Sequence, residues 1–405
     1  MEHTPIIYMD NAATTKVKQE ILQEMMPAFE ETYFNPSSIY SHSQRAMALL
    51  DKARARVAKA INCLPAEVYF TGGGSESDNY AIKGIAFKHR AKGNHIITTN
   101  IEHHAVLHTC QWLEKQGFEV TYLEVDEKGF VTAQQVEDAI KDTTILVSVM
   151  MANNEIGTIE PIAEIGEVCR RKKVYFHTDA VQAIGQIPVD VQAMNIDLLS
   201  LSGHKIHAPK GVGVLYIKRG IPIDNLIHGG AQERGRRAGT ENVAGIVGLG
   251  KAIELATEKI DSHAAKMTKL RDRLIEGILE IPYSHLNGPT GDQRLPNNVN
   301  IIFEFIEGEG ILLNLDFEGI CGSSGSACTS GSLDPSHVLL GIGLPHELAH
   351  GSLRLSLSDF NTEEEVEKVI EVLPGIIKTL RSYSPLYLNH LKEQEKEQTK
   401  EQGQK

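Results

Sequence analysis

The sequence predicts an α/β fold, a large domain around a mostly parallel sheet joined to a smaller α+β domain, and three observations carry that prediction. From about residue 15 to 260, short apolar runs of strand character alternate with segments of helical period. The residues just after each apolar run are unusually polar, as expected where parallel strands end at a ligand crevice. Beyond residue 260 the alternation stops, and NNVNIIFEF and LRLSLS flank a Ser/Gly-rich stretch.

Taken in order, strands are expected at EVYF (67–70), HIITT (95–99), TILVSVM (144–150), KVYFHTD (173–179) and DLLSLS (197–202). GVGVLYI (211–217) follows too closely for a crossover helix and is expected to run antiparallel. Helices fall between them: AEIGEVCRRKK places Ile165, Val168 and Cys169 at i, i+3 and i+4 before basic residues suited to a helix C-terminus. A long helix with a break is expected over about 242–280. The domains are therefore drawn as 15–260 for the large one and 1–14 with 261–388 for the small one. The charged tail, 389–405, has too few apolar residues to bury a face and is expected to be disordered or a frayed helix.

Composition removes several function classes. A formal charge of -13 opposes a phosphate-tracking surface, and the basic knot QERGRRAGTEN is interleaved with Glu233 and Glu241. No apolar run approaches membrane-spanning length and the N-terminus lacks a cationic segment followed by an apolar one, so a cytoplasmic protein is expected. Five cysteines with no CxxC spacing fit neither a disulfide framework nor zinc, so no metal is expected.

The strand ends assemble a chemistry. TGGGSESDN opens a helix whose first N–H groups, at Gly74 and Ser75, suit a phosphate. His103 follows HIITT, and Asn153 and Asn154 follow TILVSVM. KVYFHTD ends in Asp179 with Gln182 three residues on. DLLSLS leads to Ser202, His204 and Lys205, a lysine in surroundings where a cation is costly and an amine nucleophilic. A phosphate cradle, an amine for an aldehyde and an aspartate for a ring nitrogen together match what pyridoxal 5'-phosphate requires.

Cys328 adds a nucleophile. In SSGSACTSGSLDPSH it has Ser, Gly and Thr for neighbours, a setting for a reactive thiol rather than a core residue. The glycines give a long-reaching loop, and Asp334 as cap with Pro335 at the first helical position is expected to anchor it.

With these motifs in hand, the chain resembles cysteine desulfurases of the NifS/IscS type, fold-type I enzymes related to class V aminotransferases, from YMDNAATT at residue 8 to LRSYSPL near 386. The resemblance carries SGHKIHAPKGVGVLYI, HTDAVQAIG, MANNEIGTIEP and SSGSACTSGSLDPSHVL. It implies a large seven-stranded sheet and conversion of L-cysteine to L-alanine with sulfur held as a persulfide on Cys328. By the same resemblance Lys205 binds the coenzyme aldehyde, Asp179 pairs with the ring nitrogen, Gln182 bonds the ring hydroxyl, and His103 stacks on the ring and moves protons. Gly74, Ser75, Ser202 and His204 hold the phosphate, joined by Thr240 from the other subunit of a homodimer. Arg354 clamps the substrate carboxylate, helped by Asn35 and Asn154. An iron–sulfur scaffold or another sulfur-acceptor protein is the implied partner. Another class V activity, such as selenocysteine lyase, or a catalytically silent scaffold partner, are the competing readings.

Overall fold

The computed structural model describes residues 6–325 and 335–402, with side chains as far as 397. Cys328 and the expected cap Asp334 lie outside the described residues.

The strands, in chain order, are β1 (Ile7–Tyr8), β2 (Val68–Thr71), β3 (His95–Thr99), β4 (Glu119–Leu123), β5 (Thr144–Ser148), β6 (Tyr175–Asp179), β7 (Leu198–Ser202), β8 (Gly213–Ile217), β9 (Ser284–Leu286), β10 (Asn298–Phe303), β11 (Ile320–Cys321) and β12 (Ser352–Ser356). A seven-stranded sheet has the order β2-β8-β7-β6-β5-β3-β4. Only β8 runs against its neighbours, pairing antiparallel with β2 and β7, as its short connection requires. From β3 the chain moves outward to β4, whereas β5, β6 and β7 build the other way. The switch between β3 and β5 opens a crevice at their carboxyl ends.

Both faces of this sheet are buried, so its strands read as apolar runs rather than alternating ones. Ile97, Val147, Phe176 and Leu199 point to one face, and Ile96, Leu146 and Leu198 to the other. The principal helices are α1 (Ser41–Ala60), α2 (Gly74–His89), α3 (His104–Glu114), α4 (Ile162–Lys172), α5 (Val243–Glu258), α6 (Ile260–Leu279), α7 (Gly308–Phe317), α8 (His337–Gly341), α9 (Glu363–Ser382) and α10 (Pro385–Gln402). α5 and α6 are the expected long helix, interrupted at Lys259, whose φ of -127° and ψ of 34° leave the helical region.

A second core forms around the antiparallel sheet β12-β10-β9. Val366, Val369, Leu373 and Ile377 make one stripe of α9 and meet Leu270 and Leu274 of α6 over Val299, Ile301, Leu353 and Leu355. Each such side chain contributes roughly 1.5–3 kcal/mol by leaving water. A capping box starts α9: the Glu365 N–H donates to Thr362 Oγ1, and the Thr362 N–H donates to the Glu365 carboxylate. β1 pairs in parallel with β11, tying the N-terminal strand to this second core.

One expectation is narrowed and one corrected. The segment 389–402, expected to be disordered or a frayed helix, is helical as part of α10. Tyr283 supplies what the tail composition lacks, since its hydroxyl is met by Gln394 Nε2 at 3.1 Å and its ring packs edge-on against His390. The helix after the cysteine segment starts at His337 rather than at Pro335. Ser336 is its cap, accepting from the Val338 and Leu339 N–H groups at 3.1 and 3.2 Å.

Candidate active site

A cavity of about 170 Å³ lies at the carboxyl ends of β3, β5, β6 and β7. Gly74, Ser75, His103, Asn154, Asp179, Gln182, Ser202, His204, Lys205 and Arg354 all line it. Asn35 and Thr240 do not; both are exposed in this chain. The structure thus gathers ten residues drawn from six separate sequence segments and leaves those two outside.

The end of the cavity at the start of α2 is shaped by glycine. Gly73, at φ 154° and ψ -178°, sits in a region that only glycine populates, and this turns the chain from β2 into α2. A Cβ on Gly74 would lie 2.8 Å from Val181 Cγ2, filling the cradle. The amides at the start of α2 face the cavity beside the Ser202 hydroxyl and His204. Burial pushes the His204 imidazole down to about 4, with Lys205 and Lys210 adding repulsion, so the ring is neutral at pH 7.

The Asp179 side of the cavity is electrostatically distinct. Asp179 Oδ1 accepts from the Val181 N–H at 2.9 Å, and burial raises its carboxyl to about 6. Asp78 stands beside it on α2: ligand atoms of Asp78, Asp179 and His103 lie within 4.8 Å of one another. Burial, then the Asp179 charge, raise the Asp78 carboxyl well above the usual range. Behind this pair, His177 bonds Ser148 Oγ at 2.8 Å through Nδ1 and Ser200 Oγ at 3.0 Å through Nε2. His103 caps α3, its Nδ1 accepting from the Ala105 N–H at 3.1 Å, which assigns the ring proton to Nε2. Burial holds His103 down to about 4, helped by the Lys205 charge.

Lys205 Nζ donates to the carbonyls of Ala12 and Ala13 at 2.5 and 2.8 Å, and Gln182 Nε2 donates to Ala12 O at 3.0 Å. The AATT turn is therefore a wall of the site. Arg354, 1% exposed, donates through Nη2 to Asp10 Oδ1 at 3.0 Å and through Nη1 to Asn154 O at 3.0 Å. Its Nε is buried without a hydrogen-bond partner among the described residues. Sequence reasoning missed Asp10, Asp78 and the alanine carbonyls. Asp10 had a usable signal, a carboxylate directly after the apolar IIYM; Asp78 had none, because its partner Asp179 is a hundred residues away.

These residues fit pyridoxal 5'-phosphate. A buried carboxyl with a single backbone donor awaits a ring N–H, a glycine cradle awaits a phosphate, and an orphaned guanidinium nitrogen awaits a carboxylate. The other cysteines do not compete as nucleophiles: burial pushes Cys63 and Cys169 up to about 12 and raises Cys110 and Cys321 as well.

Fold and cavity together define an enzyme of the aminotransferase class-V family, which matches residues 7–369. A cysteine desulfurase IscS of Clostridium botulinum is 63% identical over 391 residues, covering 96% of this chain and 98% of that one. The cysteine desulfurase IscS of Methanosarcina thermophila is 61% identical, covering 94% of each. Among solved structures, a NifS-like protein superposes with a TM-score of 0.88 at 39% identity, covering 93% of this chain and all of that one. SspA, solved in complex with cysteine, gives 0.77 at 39% identity, with 88% of this chain and all of that one covered. The chain belongs to this family, in its branch of NifS/IscS-type cysteine desulfurases.

Proposed function

We propose that this desulfurase divides its work between the cavity residues and Cys328, using pyridoxal 5'-phosphate. When bound, the coenzyme supplies an aldehyde for an amine and an electron-withdrawing ring that stabilises negative charge at the substrate α-carbon. Asp179 would hold the ring-nitrogen proton, Gln182 would bond the ring hydroxyl and His103 would pack on the ring. Gly74, Ser75, Ser202 and His204 take the phosphate. Arg354 binds the L-cysteine carboxylate, with Asn154 beside it, and Lys205 Nζ takes the proton from the α-carbon. The Cys328 thiolate then attacks the substrate sulfur. A sulfur–sulfur bond forms, the carbon–sulfur bond breaks, and its electron pair stays with the carbon skeleton, which takes up one proton at the β-carbon, regains the proton that Lys205 took from the α-carbon, and leaves as alanine.

The observation that carries this reading is the meeting of Lys205, Asp179, His103 and Arg354 around one cavity. Thr240 is read as a phosphate ligand supplied across a homodimer, which its exposure and its absence from its own cavity support. The persulfide is read as passing to an iron–sulfur scaffold or other acceptor protein. Mass spectrometry after incubation with L-cysteine tests the core of the proposal. A one-sulfur adduct is expected on Cys328, with Cys328→Ala losing both adduct and alanine production while keeping the coenzyme's visible absorbance. Undiminished turnover in that variant would sink the assignment.

A further inference from the structure

We infer that Glu155 is a positioning residue for sulfur abstraction, clamping together the two residues from which the Cys328 segment departs and to which it returns. The inference rests on Cys328 being the sulfur acceptor. Gly325, with φ +65°, is the last described residue before the segment, and Ser336 caps the helix after it. A Cβ on Gly325 would lie 3.1 Å from Ser336 Cβ and 3.3 Å from Glu155 Oε2. The Ser336 hydroxyl donates to that same Oε2. Both flanks of the segment therefore lie beside one carboxyl, which bonds Ser336 and leaves at Gly325 little room for a larger residue.

Glu155 is itself anchored from the catalytic side. It follows Asn154, whose carbonyl accepts from Arg354. Its N–H donates to Asn153 Oδ1 at 2.8 Å, and its carbonyl accepts from Asn298 and Asn300 Nδ2, each at 3.0 Å. The substrate clamp and the flanks of the nucleophile segment are thus referred to a single turn. A fully buried carboxyl is costly, and here Oε1 has no hydrogen-bond partner among the described residues. Packing alone favours an apolar side chain at such a position, so what the carboxyl supplies is the directional bond to Ser336. Donating its proton to Glu155 fixes the serine rotor, whose oxygen then accepts the two α8 amides at 3.1 and 3.2 Å. His337 adds a parallel tie, Nε2 lying 2.8 Å from Glu102 O.

A nucleophile displaced by an ångström loses rate without losing substrate. Single-turnover sulfur transfer to Cys328, read by mass spectrometry on the coenzyme-loaded enzyme, is expected to fall by about tenfold or more in Glu155→Ala and in Ser336→Ala. KM for L-cysteine and the coenzyme absorbance should stay within about twofold, and the double variant should be no slower than the worse single one. Glu155→Gln, which keeps an acceptor for Ser336, should recover most of the rate. Unchanged transfer in both single variants overturns the inference, as does a loss that follows coenzyme content or KM. The underlying reading fails separately: sulfur found on a residue other than Cys328 in the wild-type enzyme overturns Cys328 as acceptor, whatever the Glu155 variants do.

Discussion

At the scale of single residues, the buried carboxyl of Asp179 links catalysis to stability. Its carboxyl, near 3.8 in an unfolded chain, is raised to about 6 by burial in the coenzyme-free protein. Between those values the folded state holds a proton the unfolded state has released, so stability falls as pH rises through this window. Above pH 6 the whole cost remains, about 3 kcal/mol for a shift of roughly two units. Coenzyme-free Asp179→Asn is therefore expected to show a higher urea midpoint than wild type at pH 8, the gap closing below about pH 4. A lower midpoint at pH 8 would show that the carboxylate is stabilising without the coenzyme. On the proposed role of Asp179 the same change removes the partner of the ring nitrogen, so coenzyme affinity should move the opposite way. Asp179 and Lys205 were legible because each is a charge set where an apolar strand ends; Asp10, after the apolar IIYM, carried the same signal unread, and Asp78 carried none, because its role comes from a neighbour far along the chain.

At the scale of elements, the basic knot shows how charge that reads as a surface is spent inside. Arg54 of α1 forms a bidentate pair with Glu233, at 2.7 and 2.8 Å, and Glu233 Oε2 also accepts from the Phe70 N–H at 3.0 Å. Arg237 grips Glu76 of α2 at 2.9 and 3.1 Å, and Arg234 stacks on Tyr69 at 4.6 Å. These bonds fix the 231–242 segment against β2 and α2, on either side of Gly73, and they hold Glu233 and Arg234 at φ of 47° and 57°. Glu233→Ala leaves a guanidinium buried without its carboxylate and is expected to cost about 3–5 kcal/mol. Replacing both partners by apolar residues, Arg54→Met with Glu233→Leu, should restore most of that, as urea denaturation would measure. If the double variant were no more stable than the single one, the bond to the Phe70 amide, not the ion pair, would be the main loss. Strands buried on both faces announced themselves as apolar runs. β4 did not, because this edge strand, EVTYL, is half-exposed and polar, and its place is set by pairing with β3 rather than by its own composition.

At the scale of the molecule, the question is whether one chain makes a complete site. The cavity brings Lys205, Asp179 and the start of α2 together, yet Thr240, at the end of the segment tied to α2, stays exposed and outside it. A second copy related by a twofold axis is the simplest way to deliver that hydroxyl to a phosphate. Lys205→Ala disables the chain that carries the cavity, and Thr240→Asp sets a carboxylate against a phosphate dianion, disabling whichever cavity that threonine serves. Each homodimer should be inactive. In a mixed dimer, purified through two different tags, the Lys205→Ala chain still offers an intact Thr240 to its partner's intact Lys205. One site of the two is whole, and about half of the wild-type activity should return. If Thr240 served its own chain, both sites of the mixed dimer would remain broken and nothing would return. The assay therefore reads the geometry of the assembly directly, and a silent mixed dimer would place the phosphate site within a single chain.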